Sequence, residues 1–126
     1  MYGQQQIALR VVRMGITLVF YISDRVTLGR GSSGDPEVPH IDLDPYDAQN
    51  LAVAPLHAVL KLDSGTLYII DQNSASGVFV DQERIRSKSP FALRDWSTIQ
   101  LGAMPLEVRF PPYRVGTIAN SLFPSS

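Results

Sequence analysis

The sequence contains no cysteine among its 126 residues. This excludes a disulfide framework, a thiol nucleophile and a thiolate metal site, and it fits a reducing compartment, so we expect a cytoplasmic protein. An excess of charge of one sign is also lacking, because 11 basic and 12 acidic residues leave a net charge of −1. That balance gives no electrostatic footprint for nucleic acid or an anionic membrane, and we expect neither as a partner.

A long hydrophobic run is missing as well. The most apolar region, from Ile7 to Ile22, is interrupted by Arg10 and Arg13, and it is too short and too charged to span a bilayer. The polar start, Met1 to Gln6, lacks the order of a secretory signal. With 44% hydrophobic and 18% charged residues, the composition is typical of one soluble globular domain with its own core.

Capped helical periodicity is absent from the first half of the chain, whereas short segments rich in β-branched and aromatic residues recur throughout it. Turn residues such as Met14-Gly15 and Asp63-Ser64-Gly65 separate these segments. The spacing predicts an all-β sandwich or barrel rather than βαβ units. The predicted strands are 7–12, 16–22, 26–28, 40–44, 58–62, 66–70, 78–80, 97–101 and 106–110.

One glycine-rich segment, residues 29–34, matches the G-x-G-x-x-G pattern and follows a predicted strand. A dinucleotide site would need a helix to begin there, and the nearby Pro36 and Pro39 argue against one. A kinase-type loop lacks its lysine-bearing strand and catalytic loop. The segment is therefore interpreted as a hydroxyl-rich loop with Arg30 at its root, and a nucleotide-binding protein or enzyme is the least favoured alternative.

Other catalytic and metal-binding arrangements have little support. His40 and His57 are the only histidines, too few for a His-rich zinc site. No nucleophile-elbow motif accompanies the serines. We therefore expect no catalytic residue, no metal and no cofactor.

Three landmarks, in their order and spacing, carry a family resemblance. Residues 26–30 form a strand ending in Gly-Arg, residues 54–58 read Ala-Pro-Leu-His-Ala, and residues 74–81 read Ser-Ala-Ser-Gly-Val-Phe-Val-Asp. Together they resemble the forkhead-associated (FHA) domain, a module that binds phosphothreonine peptides. The resemblance runs from about Leu9 to Phe110. It implies a two-sheet antiparallel β-sandwich with its binding loops at one apex.

The resemblance also implies a division of the chain and a set of site residues. Residues 8–110 would form the domain, with a flexible N-terminal segment at 1–7 and a tail or linker at 111–126. Arg30 takes the place of the arginine that grips phosphate with charge-assisted hydrogen bonds. The implied peptide-binding residues are Arg30, Ser32, Ser33, Ala54, Pro55, Ser74, Ala75 and Ser76, and the implied loop-bracing residues are Gly29, His57 and Gly77.

Several departures from the family pattern remove donors. The phosphate-binding serine is Ala54, the next position is Pro55, and the peptide-binding asparagine is Ser76. A late Gly-Asp turn is replaced by Trp96-Ser97. A hydrogen bond to a charged group is worth roughly 1.5–3 kcal/mol and a neutral one roughly 1. Losing two or three implies roughly 3–5 kcal/mol, or a hundred- to several-thousand-fold in affinity.

The favoured hypothesis is a non-catalytic protein–protein interaction module of FHA type with impaired or lost phosphothreonine recognition. Its expected partner is another protein or a phosphopeptide, and it could also associate with its own copies. The alternative retains phosphothreonine binding through Arg30 and the hydroxyls of the apical loops. Arg84 or Lys88 could offset the lost donors if they lie near the apex.

Overall fold

The computed structural model describes residues 4–31 and 39–111, and within them the chain forms short strands joined by turns. A single turn of 3-10 helix spans Asp44–Tyr46. The strands, in chain order, are β1 (Gln5–Val11), β2 (Ile16–Ile22), β3 (Arg25–Gly29), β4 (Ile41–Asp42), β5 (Ala58–Asp63), β6 (Thr66–Asp71), β7 (Val78–Val80), β8 (Glu83–Arg84), β9 (Phe91–Ala92), β10 (Thr98–Leu101) and β11 (Met104–Arg109).

The strands form two sheets, which confirms the predicted β-sandwich. The first sheet has the order β2-β1-β11-β10-β7-β8, and the second has the order β4-β3-β5-β6-β9. All neighbouring strands pair antiparallel except β3 and β4, which pair parallel over two residues. Because consecutive strands alternate between sheets at several points, loops from both sheets meet at the ends of the sandwich.

The core lies between the sheets and follows from the period-two alternation of the strands. In the first sheet, β1 buries Ile7, Leu9 and Val11 and turns its intervening residues outward. In the second sheet, Leu60 and Ile69 are fully buried and face the same layer. This alternation is the pattern that predicted the strands from the sequence.

The tight turn between β5 and β6 confirms the predicted hairpin. Ser64 and Gly65 both have positive φ angles, +53° and +83°. Two successive positive φ values are typical of a type I′ turn, whose twist matches that of the flanking strands. The sequence Asp63-Ser64-Gly65 thus fixes the register of β5 and β6.

Several predicted boundaries differ from the structure by one or two residues, and two of the differences change how a segment is interpreted. Residues 40–44 do not form one strand: only Ile41–Asp42 is extended, Leu43 is fully buried, and Asp44 begins the 3-10 helix. The apolar–polar alternation there reflects one buried leucine beside a turn. At the N-terminus β1 begins at Gln5 and Ile7 lies in the core, so residues 5–7 belong to the sandwich rather than to a flexible segment.

Within residues 4–31 and 39–111, no helix is long and apolar enough to cross a membrane. The same residues contain no group of three or more His, Cys, Asp or Glu side chains that could hold a metal ion.

Candidate functional site

Three loops meet at one end of the sandwich, here called the apex. They are the end of β3 with the two residues after it (Gly29–Gly31), the segment preceding β5 (Ala52–His57) and the β6–β7 connection (Gln72–Gly77). The first two are joined by the Arg30 N–H, which donates to the Ala54 carbonyl at 3.1 Å. The structure therefore brings together the three landmarks, which the sequence spreads over residues 26–81.

His57 joins the second and third loops from a fully buried position. The Ala54 N–H donates to Nδ1 at 2.9 Å, so Nδ1 is the unprotonated nitrogen. Nε2 then carries the proton and donates to the Gly77 carbonyl at 2.8 Å. The backbone of His57 is also bonded. Its N–H donates to the Leu28 carbonyl, and its carbonyl accepts the Gln72 N–H. This neutral imidazole cross-links the loops and leaves neither ring nitrogen for a ligand.

The protonation of His57 is coupled to folding. Burial lowers the pKa of His57, and the hydrogen bond to Gly77 and the Asp71 carboxylate offset part of that effect. A proton on Nδ1 would also point at the Ala54 N–H, so two donors would face each other with no acceptor between them. Below about pH 6.5, the unfolded chain therefore takes up a proton that the folded chain does not.

We accordingly expect the free energy of unfolding to fall as the pH drops below about 6.5, by up to about 1.4 kcal/mol per unit, until the lowered pKa of His57 is reached. Urea unfolding at about pH 7.5 and at about pH 5.5 measures this slope. His57→Gln should lose the slope and His40→Gln should retain it. An unchanged slope in His57→Gln would contradict the assignment.

Gly29 is required by a close approach of two backbones. A Cβ at this position would lie 2.0 Å from the Pro55 carbonyl oxygen and 2.9 Å from that of Ala54. Since both neighbours are main-chain atoms, the clash cannot be relieved by a rotamer change. The Gly-Arg pair thus lets β3 lie against the second loop, which positions Arg30.

Arg30 lies at the wall of a shallow pocket of about 280 Å³. Its Nε donates to the Val53 carbonyl at 2.7 Å, which holds the guanidinium against the second loop. The rest of the wall is largely apolar. The residues that line the pocket are Arg30, Gln49, Ala52, Val53, Ala54, Pro55, Ala75 and Ser76.

The serine hydroxyls of the third apical loop donate hydrogen bonds to other groups of the same chain. Ser76 Oγ donates to the Ala52 carbonyl at 2.6 Å, and Ser74 Oγ donates to Asp71 Oδ1 at 2.6 Å. Ser74 Oγ also accepts the Gly77 N–H at 3.0 Å. Because a serine hydroxyl has one hydrogen, both donors are already used in this arrangement.

Neither cation considered as a replacement lines the pocket. Arg84 packs over Gly77, and a Cβ at Gly77 would lie 2.6 Å from the Arg84 Nε. The Arg84 guanidinium carbon also lies 5.9 Å from the centroid of the Phe79 ring. Lys88 Nζ donates to Gln72 Oε1 at 3.2 Å. Ser32 and Ser33 fall outside the described residues.

Several apical residues were missed by sequence reasoning. Gln49, Ala52 and Val53 line the pocket, and Ala52 has a φ of +63°, which nothing in its identity signals. Asp42 Oδ1 accepts the Gly31 N–H at 2.7 Å and so organises the first loop. Asp71 was detectable, since an aspartate at the start of a turn commonly accepts hydrogen bonds from the backbone that follows it.

In the late turn, Trp96 and Ser97 stand where the family resemblance implies a Gly-Asp pair. Trp96 has a φ of +74°, a conformation that favours glycine, and its ring lies 3.3 Å from the Arg109 guanidinium carbon. Ser97 Oγ accepts the Arg94 N–H at 2.9 Å, as a carboxylate could at the same place. Stacking with Arg109 is therefore one interaction that favours Trp96 in this strained conformation.

The fold and the site together define the class of this protein. It is a two-sheet β-sandwich domain with three loops and an arginine at one end. A sequence model of the FHA domain matches residues 26–102, more than half of the chain. The chain therefore belongs to the FHA domain family. No curated protein matches the sequence.

Solved structures show the same fold. The FHA domain of an Arabidopsis thaliana hypothetical protein has a TM-score of 0.72 and 21% identity, over 90% of this chain and 94% of that one. The FHA domain of the Chlamydia trachomatis protein CT664 has a TM-score of 0.64 and 20% identity, over 86% and 99%. Mycobacterium tuberculosis EmbR, solved with a low affinity phosphopeptide, has a TM-score of 0.66 and 24% identity, over 84% of this chain and 24% of EmbR.

Proposed function

We propose that this FHA domain is a non-catalytic protein-interaction module in which phosphothreonine recognition is impaired. The observation that carries the proposal is the state of the apical donors. Position 54 is an alanine, Pro55 has no N–H, and the Ser74 and Ser76 hydroxyls donate to Asp71 and Ala52. A phosphate dianion accepts hydrogen bonds, so a pocket wall of such residues stabilises it poorly.

The remaining cation also contributes less than its charge suggests. Arg30 Nε already donates to Val53, which commits one corner of the guanidinium to the protein. A guanidinium binds phosphate most strongly through two parallel N–H donors supported by neighbouring donors. The described part of the pocket offers Arg30 mainly apolar neighbours, namely Ala52, Val53, Ala54 and Pro55.

The second candidate is retained phosphothreonine binding, and the related structures favour it. One FHA relative was solved in a study of phosphothreonine-dependent interactions, and EmbR was solved with a phosphopeptide. By the resemblance of residues 26–30, Arg30 would take the place of the family's phosphate-binding arginine. The two candidates predict different affinities at the same pocket, so a titration separates them.

Ala54→Ser is expected to raise the affinity for a phosphothreonine peptide by about 10- to 100-fold. The new hydroxyl adds a donor on the pocket wall beside Arg30, and a hydrogen bond to a charged group is worth about 1.5–3 kcal/mol. Isothermal titration of wild type and variant with matched phosphorylated and unphosphorylated peptides measures the change.

Ala75→Ser is the matched control, because it adds the same hydroxyl to the same pocket at a position that does not correspond to the family's serine. Adding Arg30→Ala to the Ala54→Ser variant should abolish the gain. A wild-type affinity already equal to that of Ala54→Ser would favour the second candidate. An interaction with a partner protein that survives Arg30→Ala would support the first.

A further inference from the structure

One sheet edge is built differently from the others. β2 lies at the edge of the first sheet and pairs only with β1 among the described residues. It is seven residues long, whereas the other three edge strands, β4, β8 and β9, have two residues each. Short edges are one means by which proteins avoid unwanted strand pairing, and β2 lacks that protection.

β2 also lacks the chemical protections of an edge. Its sequence, Ile-Thr-Leu-Val-Phe-Tyr-Ile, contains no charged residue and no proline. Val19 and Tyr21 are 58% and 60% exposed. In the described part of the chain, the exposed large apolar residues concentrate between positions 12 and 21. A long, apolar edge offers unpaired backbone groups and apolar side chains to another strand.

We propose that β2 pairs antiparallel with β2 of a second copy, joining the two first sheets across a two-fold axis at Val19. In this register Ile16 lies opposite Ile22, Leu18 opposite Phe20, and Thr17 opposite Tyr21. Residues on the same face therefore meet, as antiparallel pairing requires. The inward row of Leu18 and Phe20, which packs only partly against the core, would continue into the same row of the partner.

The choice of a second copy follows from the composition of the strand. A strand that pairs with itself across a two-fold axis sets its central residue against an identical one, and like charges there are destabilising. β2 has an uncharged centre and apolar or neutral pairs throughout. It carries no charge that would select a partner of another chemistry. The pairing ends naturally where the Ser23–Asp24 bend takes the chain to the second sheet.

The pairing has a consequence for the apical pocket. The β1–β2 turn lies at the apical end. The Val12 N–H, at the start of this turn, donates to the Pro105 carbonyl, next to the β10–β11 turn. The Gly102 N–H of that second turn donates to the carbonyl of Gly77 in the third apical loop. β2 therefore begins near the apex and runs away from it. Antiparallel pairing places the two apices at opposite ends of the dimer, so two binding sites face away from each other.

Substituting Val19, the residue at the two-fold axis, by residues of opposite charge tests the proposal. On the full chain, sedimentation velocity over a range of concentrations should show wild type approaching twice the 13.9 kDa mass of one chain. Val19→Lys and Val19→Glu should each weaken the dimer by at least about tenfold, since like charges then face each other. Mixing the two variants should restore it. Because Val19 is exposed, both variants should fold, which circular dichroism verifies.

Phe91→Lys is the control, since it removes an exposed apolar side chain from β9, outside the proposed interface, and should leave the dimer unchanged. A wild type that stays monomeric at every concentration would overturn the proposal, as would a Val19→Lys dimer as tight as wild type. A mixture of the lysine and glutamate variants that stays monomeric would overturn the Val19 register.

Discussion

Replacing Gly29 by alanine is expected to reduce the free energy of unfolding by about 4 kcal/mol, a large share of the 5–15 kcal/mol that is typical of a domain. The added methyl would lie 2.0 Å from the Pro55 carbonyl oxygen and 2.6 Å from its carbonyl carbon. Relief requires β3 to separate from the second apical loop. That movement would weaken the Arg30 N–H bond to Ala54, so urea unfolding should show the loss in stability.

Gly31→Ala provides the matched comparison, two residues further along the same loop. Its Cβ would lie 2.9 Å from Oδ2 of Asp42, an exposed side chain that can shift more readily than backbone, although a shift strains the hydrogen bond from the Gly31 N–H to Oδ1. We expect a loss of about 1 kcal/mol there. Equal losses for the two variants would show that the close approach of Gly29 to Pro55 does not restrict this position.

His57→Ala is expected to cost about 3–5 kcal/mol. It leaves the Ala54 N–H without its acceptor, at about 1–3 kcal/mol, and it removes one of the two donors to the Gly77 carbonyl, which still accepts the Gly102 N–H. It also opens a cavity between Ala54 and Gly77 where the imidazole was. Because His57 joins two of the three apical loops, we also expect faster amide hydrogen exchange at Ala54 and Gly77. Chemical unfolding and native-state exchange measure the two effects.

His40→Ala is the control for losing an imidazole. His40 Nδ1 likewise accepts a backbone N–H, from Thr27 at 3.0 Å, but His40 is exposed and water can replace the bond. The expected loss is about 1 kcal/mol or less. If His57→Ala cost no more than His40→Ala, burial and the second hydrogen bond would contribute nothing.

The longer strands were predictable from the sequence because their signal is local, whereas the two-residue strands β8 and β9 were not predicted. In β1, apolar residues alternate with others at Ile7, Leu9 and Val11, and the pleat of the strand turns that alternation into one buried face. The turn at Ser64-Gly65 was equally local, since small residues that tolerate positive φ are needed within two positions of each other. The segment at 40–44 was predicted wrongly, because Leu43 is buried by tertiary packing next to a 3-10 turn.

By itself, the sequence determined the order of the strands, the Gly-Arg pair at the end of β3 and the absence of a serine at position 54, since each depends only on residue types and spacing. Only the tertiary structure decided how the Ser74 and Ser76 hydroxyls are used. Ser76 and Ala52 are 24 positions apart, and no local pattern indicates that this hydroxyl donates to that carbonyl. The contact of Gly29 with Pro55 is likewise a product of packing, as is the outer edge of β2, which pairs with no further strand within residues 4–31 and 39–111. Such contacts depend on how the two sheets bring distant segments together, and that geometry is not encoded within any one segment.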